Sequence, residues 1–80
     1  MTPEQRQATI RRTVAAVLGV PESTIDEDSS TDSIKGWDSV AHLNLIMALE
    51  EAFGTSFSPE ETMDMTSVKL IRLVLEEKGL

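Results

Sequence analysis

Apolar residues recur along most of this chain with a helical period. Ile10, Val14, Val17 and Leu18 fall at i, i+4, i+7 and i+8, which places them in one stripe down a helix. Thr2-Pro3-Glu4-Gln5 precedes the stripe with start signals: a capping threonine, a proline suited to the first helical position, and Gln5 placed to complete a capping box. Gly19 and Pro21 end the segment. A second helix is predicted over 39–53, with Asp38 as its N-cap and Gly54 as its stop. Val40, Leu43, Ile46, Met47, Leu49 and Phe53 give it a wide apolar arc. Ser58-Pro59-Glu60-Glu61 starts a third helix, which must be short because Thr66 is placed to cap a fourth. In that last helix Val68, Ile71, Val74 and Leu75 keep helical spacing up to Gly79. Residues 19–37 show no period. They form a long first loop, anchored on the core by Val20, Ile25 and Ile34. The expected fold is all-α: one domain over residues 1–80, an antiparallel helical bundle of three main helices plus one short helix.

Composition narrows what such a bundle can do. The 80 residues include no cysteine, which excludes disulfides, a Cys-based zinc site, an iron–sulfur cluster and a thiol nucleophile. A domain this small cannot enclose a deep active site. No apolar run approaches the ~18 residues of a membrane span and no signal-peptide core is evident, so a cytoplasmic monomer without membrane insertion is expected. The net charge is -7, against nucleic acid as a partner. Its distribution is uneven. Residues 19–65 hold eleven acids and one base, whereas residues 1–18 hold three arginines and one acid. An acidic middle is either a solubilising face or a surface that steers basic partners.

Several side chains are candidates for chemistry. Asp26, Asp28, Ser30 and Asp32 alternate like the first ligands of a calcium loop, but Thr31 stands where glycine is needed and Trp37 where a bidentate glutamate is needed, so no metal site is expected. Ser39 and His42 are i, i+3 neighbours, yet the surrounding residues are not a nucleophile elbow, so a hydrolase is not favoured and His42 is expected to be a surface or boundary histidine on a helix. Met47, Met63 and Met65 either fill core or make an adaptable binding surface, and their helical spacing favours core. Trp37 is expected to staple onto the first turn of the second helix. Glu50 and Glu51 sit where the helix dipole disfavours acids, which points to some other use for them. Ser39 follows the cap Asp38. It lies in a first turn whose backbone N–H groups and dipole favour a phosphate ester on its oxygen.

Gly36-Trp37-Asp38-Ser39-Val40, followed by Met47-Ala48-Leu49-Glu50-Glu51-Ala52-Phe53-Gly54, resembles the acyl carrier protein family. The resemblance spans nearly the whole chain and looks like a free-standing carrier. It implies that Ser39 receives 4′-phosphopantetheine from coenzyme A through a phosphopantetheinyl transferase, with Asp38 as motif residue and cap. It also implies a non-catalytic protein that carries acyl groups as thioesters for a fatty-acid, polyketide or other specialised pathway. Its partners would be acyl-activating, synthase or transferase enzymes with basic docking patches, engaging Val40, Met47, Glu50 and Glu51. Ala41 and Asn44 stand where primary fatty-acid carriers hold acids, and Trp37 with His42 looks more like carriers of specialised pathways. Two alternatives stay open: an aminoacyl or peptidyl carrier with the same cofactor, and a small acidic helical interaction module without one.

Overall fold

The structure, a computed structural model, describes all 80 residues. Four helices form an all-α bundle: α1 (Pro3–Leu18), α2 (Ser39–Phe53), α3 (Pro59–Asp64) and α4 (Val68–Glu77). The first loop contains a short 3-10 turn, Glu22–Thr24. Thr2 and Gln5 form the expected capping box at α1, and Ser58 and Glu61 form another at α3. Gly19 and Gly54 close α1 and α2 in the left-handed conformation, at φ 68° and 62°. The cap of α4 differs from the expectation. It is Ser67, not Thr66, whose hydroxyl accepts from the N–H of Leu70. Both adjacent hydroxyl residues can cap, serine somewhat better than threonine, and the backbone turn places Ser67 at the start.

One core holds the bundle together. Ile10, Val14 and Ala15 of α1 meet Leu45, Ile46 and Leu49 of α2 and Val68, Ile71, Val74 and Leu75 of α4. Each of the valine, leucine and isoleucine side chains among them contributes about 1.5–3 kcal/mol by leaving water. Met65, Ile25 and Trp37 complete the core from the loops, and Val20 and Ile34 pack at its edge. The apolar arc of α2 is split. Ile46 and Leu49 face inward beside Leu45, while Val40, Leu43 and Met47 are 69%, 61% and 64% exposed. Helical spacing therefore misplaced Met47 and Met63 in the core, where only Met65 is buried.

The long loop is ordered because it completes α4. A helix start leaves N–H groups without intrahelical acceptors. The loop supplies them: Ser29 and Glu27 carbonyls accept from Val68 and Lys69 at 2.9 and 3.2 Å. Thr31 N–H donates to the Thr66 carbonyl at 3.0 Å, alongside a single bridge between Ser30 and Ser67. Asp26 and Ser30 hold the turns of this segment. Asp26 accepts from the Asp28 N–H and the buried Ser29 hydroxyl, and Ser30 accepts from the Asp32 N–H. Glu27 pairs with Arg72 at 2.7 Å, and Glu76 joins Arg72 to Arg6 of α1. Glu27 and Glu76 together hold the Arg72 guanidinium above its usual pKa.

α3 buries none of its residues and is held mainly by polar ties. Lys78 meets Glu61 at 3.2 Å and lies over the Phe57 ring. The Ser58 N–H, and then Lys78, hold the Glu61 carboxyl below its ordinary range. A folded pKa below the unfolded one means stability that is present above the unfolded value and lost as pH falls through the folded value. Glu61→Gln should therefore lower stability at neutral pH, with the gap to wild type closing as both are titrated through the carboxylate range. Urea denaturation across pH measures this, and a gap of constant size would contradict it.

Candidate functional site

The four helix starts treat their backbone donors differently. In α1 and α3 a proline occupies the first position and acids follow it in the first turn. At α4 the loop carbonyls and Ser67 take the donors. At α2 Asp38 accepts from the Ala41 N–H at 2.8 Å and its carbonyl from that of His42, which leaves the N–H groups of Ser39 and Val40 without partners in the chain. The first turn of α2 carries no acid. It is thus the helix start most open to an anion.

Ser39 is the first residue of α2 and is exposed, and its hydroxyl makes no hydrogen bond within the chain. Of the serines in the preceding loop, Ser23 is free but sits in the short 3-10 turn, and the other three are engaged. Ser29 accepts from the Asp26 N–H at 3.0 Å, Ser30 from that of Asp32 at 3.2 Å, and Ser33 from that of Ser30 at 2.8 Å. A free hydroxyl beside two open N–H groups fits an attached phosphodiester.

The turn that presents Ser39 is pinned from beneath. Trp37 is buried and its ring stacks on that of His42, centroids 6.2 Å apart. This is the expected staple between the residue before the cap and the fourth of the helix, with an imidazole as partner. The indole N–H donates to His42 Nδ1 at 3.0 Å, which leaves the ring proton on Nε2, 2.8 Å from the Thr62 carbonyl of α3. His42 is a half-buried bridge linking the serine turn to α3. Its spacing from Trp37 was the only sequence signal for that role. A groove of about 470 Å³ opens beside this turn, bordered by Ser39, Trp37, His42 and Leu43.

Residues 8–74 match the family model described as "Phosphopantetheine attachment site". The chain belongs to this family. The phosphopantetheine-attachment family bears a 4′-phosphopantetheine prosthetic group, and its carrier domains are generally non-catalytic. They are modified by phosphopantetheinyl transferase and interact with synthase enzymes. Membership favours a phosphopantetheine-bearing carrier over the cofactor-free interaction module. No helix is long and apolar enough to cross a membrane.

The other sequence-predicted site residues divide. Val40, Met47 and Glu51 are exposed on α2. Glu50 is half-buried, and its carboxylate accepts from the Phe57 N–H at 2.9 Å. That bond ties the loop before α3 to α2 and explains an acid the helix dipole disfavours. Replacing His42 with leucine should strand the buried indole N–H of Trp37 and cost about 1–3 kcal/mol. The urea midpoint should fall without a change of slope, and an unchanged midpoint would show that the bridge contributes nothing.

Proposed function

We propose that Ser39 is the attachment point of 4′-phosphopantetheine and that the chain carries acyl groups as thioesters for a specialised pathway. The observation that carries this reading is the free Ser39 hydroxyl in the open first turn of α2, within a chain of the phosphopantetheine-attachment family. In the loading reaction the Ser39 oxygen forms a bond to phosphorus, the nucleotide half of coenzyme A departs, and the serine proton passes to the transferase. Asp38 keeps the turn in shape by capping it. The unpaired Ser39 and Val40 N–H groups would be available to the phosphodiester, an interaction worth about 0.3–1 kcal/mol at an exposed helix start. The arm supplies the thiol that this cysteine-free chain lacks.

Docking follows from the split of α2. Its outward face offers Val40 and Met47 as apolar contacts, with Glu51 as an exposed acid for a basic partner. Glu50 contributes charge there but also holds the Phe57 loop, so the steering test belongs to Glu51. Ala41 and Asn44, where primary fatty-acid carriers hold acids, support a specialised pathway over a housekeeping one. Loading assays with activated acyl and aminoacyl donors decide the cargo: acceptance of acyl donors supports the proposal, and acceptance of aminoacyl donors alone overturns it.

Incubation with coenzyme A and a phosphopantetheinyl transferase should add one arm, mapping to the peptide that contains Trp37 to Val40. Ser39→Ala should keep the helical circular dichroism of wild type, because Asp38 still caps and alanine suits a helix. It should take up no arm. Mass mapped to Ser29, Ser30 or Ser33, or full loading of Ser39→Ala, would overturn the site. Glu51→Lys should weaken transferase and synthase docking at low salt, with the loss shrinking as salt screens exposed charge over ~8 Å. Arg11→Ala with Arg12→Ala should have a smaller effect, and equal effects of the two changes would remove the steering role of α2.

A further inference from the structure

The chain has four methionines and no cysteine, so their thioethers are its only sulfur atoms. They fall into two sets. Met65, in the turn between α3 and α4, is 0% exposed and fills the core. Met47 on α2 and Met63 on α3 are 64% and 76% exposed, and Met1 is exposed beside α1. In a polypeptide without thiols, a solvent-exposed thioether is the group that a mild oxidant reaches first. The same exposure means that little of the Met47 surface supports the fold. A change of polarity there therefore alters what α2 offers to a partner and leaves the core as it was.

We propose that Met47 is a site of reversible oxidation by peroxides, and that its sulfoxide releases partner enzymes from the outward face of α2. The inference rests on the reading of Met47 as a docking contact. In the oxidation the sulfur lone pair attacks one peroxide oxygen. The S–O bond forms as the O–O bond breaks, and the other oxygen takes up the proton of the first and departs as water. Sulfur gives up two electrons and the peroxide accepts them. The product carries a polar S–O group where the thioether was apolar. Water satisfies that oxygen while the carrier is free. Against the apolar surface of a docked partner it has no donor, so burying it is unfavourable. Met65 would suffer the same conflict inside the core, but its burial keeps peroxide away. Met63 matches Met47 in exposure and lies outside the docking contacts of α2, so it separates oxidation as such from oxidation at the docking face.

The test uses the full chain before arm attachment, the form on which the transferase acts, with hydrogen peroxide as the probe and its removal before each assay. Peptide mapping should find one added oxygen on Met47 and on Met63, while Met65 converts several-fold more slowly. Circular dichroism should stay that of the untreated chain. The kcat/KM of arm loading should fall several-fold, and a methionine sulfoxide reductase should restore it. Met47→Leu, compared with itself before and after peroxide, should show no fall, whereas Met63→Leu should still show one. Met47→Gln is polar without any oxidant and separates the two ideas. If it loads like wild type, Met47 is no docking contact and the inference fails with that reading. If it slows loading but complete oxidation of Met47 does not, the oxidation switch alone is overturned. Conversion of Met65 as fast as Met47, or a fall that persists in Met47→Leu, overturns it as well.

Discussion

Every helix in this bundle begins with N–H groups that it cannot itself satisfy, and the way each start disposes of them determines where chemistry can occur. Proline removes a donor at α1 and at α3, and acidic residues follow it in the first turns, Glu4 in α1 and Glu60 and Glu61 in α3. At α4 the long loop folds back and presents its own carbonyls. Only α2 leaves two neighbouring donors open, with a free hydroxyl on the same residue as one of them. The serine turn is therefore less a special loop than the helix start left more open than the other three.

That arrangement depends on parts remote from the serine. The long loop is held on α4 by backbone bonds and by the ion pair of Glu27 with Arg72, which Glu76 extends to Arg6 of α1. Once docked, the loop delivers Trp37 to the core, and Trp37 with His42 sets the turn that Asp38 caps. His42 continues the chain of contacts to Thr62, so α3, which buries no residue of its own, is tied to the serine turn from one side and to Lys78 and Phe57 from the other. This network fixes the position of the serine turn with one small core.

Much of this was legible in the sequence because helix signals are local. Caps, prolines, stop glycines and apolar periods located all four helices, and Asp38-Ser39 stood out as a cap followed by a serine in the first turn. What escaped was long-range. Nothing near Val68 says that Ser29, nearly forty positions earlier, will accept its N–H. The arc of α2 contained more apolar residues than a single core face can bury, and the period alone does not say which remain outside; Leu45 went in while Leu43 and Met47 stayed out. The structural use of Glu50 escaped as well, because its bond to the Phe57 N–H crosses a turn of unpredictable geometry. The Trp37–His42 pair was half visible, as a staple whose second member was not recognised.

The amide hydrogen exchange of Ser39 and Val40, compared before and after attachment of phosphopantetheine, tests most directly whether the open start of α2 receives the phosphodiester. Slower exchange at these two amides, with Glu4 of α1 and Glu60 of α3 unchanged, is the predicted result. Unchanged exchange at both, or protection gained at another helix start, would contradict it.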